Sequence, residues 1–351
     1  MIRVHQLLSG AGPHDAITTE ALAFRALFAA WGWGGADHAY RIAPGLGGGI
    51  APAERLRADP GDVLLLHHSA GWPRLGELLA LPNRKLLLYH NVTPPGLLWE
   101  HAPVVAAHCA AGREQLAELV AAVDVAAADS AFNAAELTQL GAERPEVIPL
   151  LIALDALGPG RDGSAPDPPA PPTVMFVGRL SPHKGQEPLI RAFAQYRRHR
   201  APEARLSLVG DPISAGYEQF LRRLADTLAP GAVSIESGLP AGELGGRYRA
   251  AHVFACLSEH EGFCIPLLEA FHFGVPVIAR AAGAVPEVLG DAGILVEDRD
   301  PAVIAELLHL VAGDVELRTE LRRRAQRRLG RYEPGPIGER LRAAVEATLA
   351  A

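Results

Sequence analysis

The sequence predicts an α/β protein made of two Rossmann-like domains, each with a doubly wound parallel sheet. Its 351 residues suit two domains of about 100–200 residues each. Short apolar runs alternate with Ala- and Leu-rich amphipathic stretches, which is typical of parallel sheets covered by helices. A proline-rich interruption divides this alternation. Since ligands of such sheets bind beyond the carboxyl ends of the strands, we expect a cleft between the two domains.

The first domain is predicted over residues 1–156. Its strands should be the short, uniformly apolar runs that a buried parallel sheet requires. We expect strands at residues 4–8, 63–66, 86–89, 123–127 and 147–150. Helical patterns lie between several of them, as at 16–30 and 102–120.

Residues 157–172 are predicted to be a linker, because their prolines fix φ and remove backbone donors. The second domain follows at 173–334, and a final helix occupies 335–351. Strands are expected at residues 174–177, 206–209, 233–235, 253–257, 275–279 and 294–296. Helices are expected at 186–199, 217–228, 244–250, 265–273 and 302–311.

Composition narrows the class of protein. The 33 basic and 40 acidic side chains give a formal net charge of −7, which argues against a general nucleic-acid binder. No apolar run reaches the ~18 residues of a membrane span, and the first apolar segment is too short for a signal peptide. We therefore expect a cytoplasmic protein. The 3 cysteines lack Cys-x-x-Cys spacing, so free thiols and no metal site are expected.

The segment SEHEGFCIPLLEAFHFG carries the strongest chemical pattern. Glu261 stands in the turn before a predicted helix and Glu269 lies within it. Gly262 lets a ligand approach the backbone closely. The amides at the start of the helix would face an anion; they belong to Phe263, Cys264 and Ile265. Carboxylates for sugar hydroxyls beside amides for phosphate predict a nucleotide-sugar site, the alternative being a solvated acidic turn.

A basic loop, VGRLSPHKGQ, follows the first strand of the second domain. Arg179 and Lys184 would stand at the strand end, just after Gly178. Two fixed cations there would neutralise a diphosphate leaving group. The alternative is an ordinary basic loop.

The two motifs, Gly-Arg-Leu-x-x-x-Lys-Gly and Glu-Gly-Phe-x-x-Pro-Leu-Leu-Glu-Ala, resemble those of glycosyltransferase family 4, retaining enzymes of the GT-B fold. The resemblance implies that Arg179 and Lys184 bind the donor diphosphate. It also implies that Glu261 holds hydroxyls of the transferred sugar and Glu269 those of the ribose. Gly178, Gly262 and Phe263 would line the donor site, with the Cys264 and Ile265 amides on phosphate.

The same resemblance implies a mechanism. The acceptor hydroxyl attacks on the face that the diphosphate leaves, a phosphate oxygen takes the proton, and no metal or cofactor takes part. The catalytic set is then Arg179, Lys184, Glu261 and His90, of which His90 resembles the family's cleft histidine. A merely structural histidine is the alternative. The last helix is implied to pack back on the first domain.

Loops of the first domain are weaker candidates. Gly10 and Gly12 follow the first strand and could cradle the donor phosphate. Asp15 stands where a dinucleotide fingerprint has its third glycine, and residues 39–43 lack the ribose-binding acid, which argues against an NAD site. Asp15 could contact an acceptor or cap a helix. Further acceptor candidates at strand ends are His68, Asn91, Ser130 and Asn133; a helix cap explains Ser130 equally well.

The predicted function is transfer of a sugar from a UDP- or GDP-linked donor to an unknown acceptor, which could be a glycan, a lipid or a natural product. The alternatives are a sugar-nucleotide epimerase of the same fold, a non-catalytic nucleotide-sugar-binding subunit and an NAD oxidoreductase. A Ser130 hydrolase lacks the Gly-x-Ser-x-Gly elbow. The arginines of residues 322–331 could contact a membrane surface or form a solvated face.

Overall fold

The computed structural model describes residues 1–13, 15–161 and 171–351. Its backbone divides into two compact units. Unit 1 contains Met1–Gly96, Val104–Ile152 and Tyr332–Ala351, and unit 2 contains Leu97–Pro103 and Ala153–Arg331. Residues 162–170, most of the predicted linker, lie outside the described residues.

Unit 1 is built on a parallel sheet with the strand order β3-β2-β1-β4-β5-β6-β7. The strands are β1 (Val4–Leu8), β2 (Asp37–Ala39), β3 (Ile50–Pro52), β4 (Val63–His68), β5 (Arg84–Tyr89), β6 (Val125–Ala128) and β7 (Glu146–Val147). The helices before the linker are α1 (Ala16–Ala30), α2 (Leu75–Leu79), α3 (Pro103–Ala122) and α4 (Ala131–Gln139). Strands β1, β4 and β5 are almost wholly buried, as expected for a sheet covered on both faces.

Unit 2 has a second parallel sheet with the order β10-β9-β8-β11-β12-β13. Its strands are β8 (Thr173–Val177), β9 (Arg205–Val209), β10 (Val233–Glu236), β11 (Val253–Cys256), β12 (Val277–Arg280) and β13 (Gly293–Val296). Its helices are α5 (Gln186–His199), α6 (Ala215–Leu228), α7 (Ala241–Ala250), α8 (Ile265–His272), α9 (Val285–Leu289), α10 (Pro301–Gly313) and α11 (Val315–Leu329). Strands β8 and β11 are neighbours, so the loops that follow them meet.

The last helix, α12 (Pro334–Ala350), packs on unit 1. Its buried residues Ile337, Leu341 and Val345 join the core that contains Phe24 and Leu65. The predicted return of the chain to the first domain is therefore confirmed.

The arginines of α11 serve mainly to hold unit 2 together. Arg318 is buried and donates to the carbonyl of Val311 at 3.1 Å. Arg322 is also buried and donates to the carbonyl of Gly274 at 2.9 Å. Such bonds satisfy backbone carbonyls at loop and helix ends. Each helix within the described ranges is too short or too polar to cross a bilayer.

The sheet of unit 1 differs from the predicted one at its edges. Strands β2 and β3 are three residues each, too short to leave a periodic signal in the sequence. The predicted strand at 147–150 is wrong beyond Val147, where pairing with β6 ends. The apolar residues after it are buried for another reason: Ile148 and Leu151 fill the core beneath α12.

Candidate functional sites

An ion pair links the two sequence motifs at the carboxyl ends of β8 and β11. Lys184 Nζ donates to one carboxylate oxygen of Glu261 at 2.8 Å, and Ser258 Oγ donates to the other at 2.7 Å. Burial by itself lowers the pKa of Lys184, but Glu261, Cys264 and Cys256 together outweigh burial and the pKa is raised. Lys184 therefore stays protonated, and its charge is fixed beside a carboxylate that is only 7% exposed.

A glycine turn places Lys184. The lysine ends a short 3₁₀ turn, and Gly185 follows it with φ 74°. A Cβ at Gly185 would overlap the backbone carbonyl of Leu257. Only glycine therefore lets this loop lie against the end of β11.

The start of helix α8 can bind an anion through its backbone amides. Cys264 precedes the helix in the left-handed conformation, with φ 78° and ψ 64°, and no side chain of the described ranges caps it. Among the described residues, the amides of Cys264 and Ile265 have no hydrogen-bond acceptor. Pro266 has no N–H to offer. Free amides at a helix start attract anions, so this end of α8 can hold a phosphate.

Glu269 lies one turn into α8 and is fixed by a tyrosine that the sequence analysis missed. Tyr248 Oη donates to Glu269 at 2.6 Å. The Tyr248 ring stacks on Phe273 with centroids 5.4 Å apart. Burial raises the pKa of Glu269, and the hydrogen bond from Tyr248 partly opposes this. No pattern in the sequence of α7 singles out Tyr248.

Arg179 and Gly178 flank this cluster. The Arg179 side chain is exposed, and it forms no hydrogen bond within the part of the chain that the structure describes. The pKa of His183 is lowered to about 3. Burial is the largest cause, followed by the charges of Lys184, His260 and Arg179. Gly178 has φ 146°. Gly262 is half-buried, and Phe263 is buried at 5% exposure.

Unit 1 holds a second polar cluster, centred on His90. Its Nε2 lies 3.0 Å from His67 Nδ1 and 3.6 Å from a Glu20 oxygen, and its Nδ1 lies 3.5 Å from Asp129. Burial lowers the pKa of His90, but Glu20 and Asp129 outweigh it, so the pKa is raised. Burial raises the pKa of Glu20 to about 7, against the opposing effect of His90. The Glu20 carboxyl and the His90 imidazole therefore influence each other's pKa.

Two acceptor candidates have structural roles. His68 is fully buried; its Nε2 bonds the Gly112 carbonyl at 2.9 Å and its Nδ1 accepts from Trp72 at 2.6 Å. Ser130 is also fully buried, and its hydroxyl accepts from the amide of Asn133 at 3.2 Å to cap α4. Both side chains thus form internal hydrogen bonds, and contact of either with an acceptor stays a prediction.

The remaining acceptor candidates support the His90 cluster or the first loop. Asn91, with φ 68°, donates to Asn133 at 2.7 Å. Asn133 is fully buried and in turn donates to Asp129. Contact of Asn91 or Asn133 with an acceptor stays a prediction. Asp15 caps α1, accepting from the Thr18 amide at 2.8 Å and the Thr18 hydroxyl at 2.7 Å.

The two glycines of the first loop are not required by packing. An added Cβ at Gly10 would come no closer than 3.8 Å to Arg41, and at Gly12 no closer than 3.5 Å to Ala43. Both are ordinary van der Waals distances. The Gly12 amide is held by the Thr18 hydroxyl at 3.0 Å. A role of these glycines in binding stays a prediction.

Comparison with known proteins decides the family. Residues 163–328 match the family model for glycosyl transferases group 1. D-inositol 3-phosphate glycosyltransferase 1 of Catenulispora acidiphila is 30% identical over 289 residues, which cover 77% of this chain and 68% of that protein. The chain belongs to the glycosyl transferases group 1 family. The resemblance carried by the two motifs is thereby confirmed.

Other relatives align over shorter stretches. A GDP-mannose-dependent alpha-(1-6)-phosphatidylinositol monomannoside mannosyltransferase of Mycolicibacterium smegmatis is 37% identical over 172 residues, 42% of this chain and 44% of that protein. The chain spans 47% of another relative, from Segniliparus rotundus. It therefore covers about half the length of these curated relatives.

Solved structures show the fold. Sucrose-phosphate synthase from Thermosynechococcus elongatus matches with a TM-score of 0.79 at 19% identity, over 100% of both chains. Anabaena Alr3699/HepE in complex with UDP and glucose matches with a TM-score of 0.72 at 15% identity, over 99% of this chain and 100% of that one. The predicted GT-B fold, with two Rossmann-like parallel-sheet domains, is confirmed.

Proposed function

We propose that the chain is a retaining glycosyltransferase that moves a sugar from a UDP- or GDP-linked donor to an acceptor hydroxyl. The observation that carries the proposal is the Lys184–Glu261 pair, joined at 2.8 Å beside the open amides of Cys264 and Ile265. A cation and free amides suit a diphosphate. A carboxylate next to them suits the sugar that the diphosphate carries.

The roles proposed for the donor-site residues are supported by their contacts. Lys184, Arg179 and the two amides neutralise the charge that develops as the diphosphate departs. Glu261, oriented by Ser258 at 2.7 Å, accepts hydrogen bonds from hydroxyls of the transferred sugar. Glu269, held by Tyr248, accepts hydrogen bonds from the ribose.

The proposed reaction is a displacement on one face of the sugar. The bond from the anomeric carbon to the diphosphate oxygen breaks while a bond to the acceptor oxygen forms on the same face. The acceptor's proton passes to an oxygen of the leaving phosphate. The transition state is oxocarbenium-like, and no step is assigned to a metal ion.

Unit 1 is proposed to bind the acceptor, and the Gly10 and Gly12 loop to contact the donor phosphate. The catalytic role of His90 stays a proposal, supported by the raised pKa that Glu20 and Asp129 give its imidazole. A protonated imidazole can donate a charge-assisted hydrogen bond.

The relatives' names suggest the first substrates to try. One is named as GDP-mannose-dependent, and several are named for D-inositol 3-phosphate. We therefore propose GDP-mannose and UDP-hexoses as donors. Inositol phosphates and inositol lipids are the first acceptors, with other glycans and natural products behind them.

A thermal-shift panel of nucleotide sugars tests the proposal first. A donor present at 100 times its dissociation constant stabilises the fold by about 2.7 kcal/mol. Donors that bind are then incubated with acceptors, and NMR reads the anomeric configuration of the product. Transfer with retained configuration supports the proposal. Isomerised sugar from donor alone indicates an epimerase, binding without turnover indicates a binding subunit, and no nucleotide binding contradicts all three.

A further inference from the structure

Two cysteines meet behind the Glu261 carboxylate. Cys256 is the last residue of β11, and Cys264 is the residue before α8. Their sulfurs lie 3.9 Å apart. Ligand atoms of Cys256, Glu261 and Cys264 all lie within 4.8 Å of one another, and the three residues are buried. Because the cysteines are eight residues apart rather than in a Cys-x-x-Cys pair, no sequence motif indicates this cluster.

The spacing of the cluster suits a tetrahedral cation. With Zn–S bonds of about 2.3 Å, two thiolates on one zinc ion lie roughly 3.7 Å apart. The observed 3.9 Å requires an adjustment of only a few tenths of an ångström. A carboxylate completes a set of three protein ligands, as in zinc sites that keep a fourth position open.

Ser258 contacts two residues of the cluster, Cys256 and Glu261. Its hydroxyl lies 2.7 Å from a Glu261 oxygen and 3.2 Å from the Cys256 sulfur. Outer partners of this kind orient metal ligands and tune their affinity. The cluster thus has both ligands and a residue that positions them.

The charges also balance. Two thiolates and the Glu261 carboxylate would bring three negative charges, and Lys184 supplies one positive charge at 2.8 Å. A divalent cation supplies the other two. Since ligation needs both thiols deprotonated, binding releases protons and strengthens as the pH rises.

The backbone at Cys264 is a second, independent sign. Its φ of 78° is a conformation that glycine adopts without strain and cysteine does not. Such strain persists where the surroundings impose it, and it concentrates at functional positions. At Cys264 it accompanies a thiol whose sulfur lies 3.9 Å from that of Cys256.

We propose that Cys256, Cys264 and Glu261 form a binding site for a thiophilic divalent cation, such as Zn²⁺ or Cd²⁺, and that the bound cation excludes the sugar-nucleotide donor. The exclusion rests on the proposed function. Glu261 cannot ligate a cation and accept sugar hydroxyls with the same oxygens, and ligation of Cys264 ties down the residue whose amide would face the phosphate.

Titration of the reduced protein with Cd²⁺ tests the site itself. Thiolate-to-Cd²⁺ charge-transfer absorption should saturate at one equivalent. Cys256→Ala and Cys264→Gly should each weaken binding at least about 100-fold, beyond the 10–100-fold effect of losing an outer partner. Glycine suits the left-handed backbone at position 264, so that variant should fold. Cys109→Ala, which removes the cysteine in α3, should titrate like the wild type.

Three results would overturn the site. They are no stoichiometric band in the wild type, a full band in Cys256→Ala or Cys264→Gly, and loss of the band in Cys109→Ala. Each variant's thermal unfolding is measured alongside, so that a loss of binding is read only from folded protein. A reductant throughout excludes disulfide formation as the cause.

Nucleotide binding, measured by calorimetry, tests the exclusion. With a chelator present, UDP or GDP binding tests the proposed function alone, whatever the cation does. With one equivalent of Cd²⁺, wild-type nucleotide affinity should fall at least about tenfold, within the usual range of coupling between sites. In Cys256→Ala it should not change with Cd²⁺. Stoichiometric Cd²⁺ binding with unaltered nucleotide affinity would overturn the exclusion.

Discussion

Replacing Tyr248 with phenylalanine isolates the hydrogen bond that orients Glu269. The hydroxyl donates to the carboxylate at 2.6 Å, whereas the ring packs on Phe273 with an interplanar angle of 9°. Phenylalanine keeps the stacked ring and removes only the donor. We therefore expect the fold to survive and the carboxylate to lose its anchor.

The size of the effect follows from the kind of bond. A hydrogen bond to a charged group contributes about 1.5–3 kcal/mol, so nucleotide affinity should fall by roughly 10- to 100-fold if Glu269 binds the ribose. The pH dependence has a definite sign. Burial already raises the pKa of Glu269 and the Tyr248 bond lowers it, so removing that bond raises the pKa further. Loss of affinity on acidification should then begin at a higher pH in Tyr248→Phe than in the wild type.

Calorimetric titration of UDP and GDP across pH measures both effects. Tyr217→Phe is the matched control, because its hydroxyl bonds Gln186 at 3.3 Å and touches neither motif carboxylate. It should bind nucleotide like the wild type. The assignment of Glu269 to the ribose would be refuted if Tyr248→Phe bound nucleotide with wild-type affinity and lost that affinity on acidification at the same pH as the wild type.

Three further predictions concern other parts of the sites. Lys184→Ala or Arg179→Ala should cut sugar transfer by on the order of 10²-fold or more, because each removes charge from the leaving diphosphate; near-normal kinetics in both would remove that assignment. Gly12→Ala should leave the melting temperature unchanged, since its Cβ meets Ala43 at an ordinary 3.5 Å, while donor affinity falls; equal affinity would show that the loop does not approach the donor. Glu20→Gln should lower the pKa of His90, since Glu20 raises it, and an NMR titration showing no shift would contradict the coupling.

The second domain was largely predictable from sequence because most of its candidate site residues lie close together along the chain. Glu261, Cys264 and Glu269 lie within one strand–turn–helix segment, and apolar runs mark the strands beside it. Lys184 and Glu261 lie 77 residues apart, yet both follow strands. Parallel topology alone brings neighbouring strand ends together.

The polar cluster of unit 1 could not be predicted in the same way. Glu20 lies mid-helix in α1, where a glutamate ordinarily faces water, yet it is 1% exposed. Its partners His67 and His90 come from two strands, and the sequence gives no measure of burial for any of them. His68 directly follows His67 in β4. Because side chains alternate along a strand, His68 points to the other face of the sheet, toward Trp72.

A crystal structure of the protein with a bound nucleoside diphosphate tests the central claim most directly. We predict diphosphate oxygens within hydrogen-bond distance of Lys184 Nζ and of the Cys264 and Ile265 amides, with the ribose hydroxyls on Glu269. A nucleotide bound elsewhere, with the Lys184–Glu261 pair and the start of α8 untouched, would contradict the account.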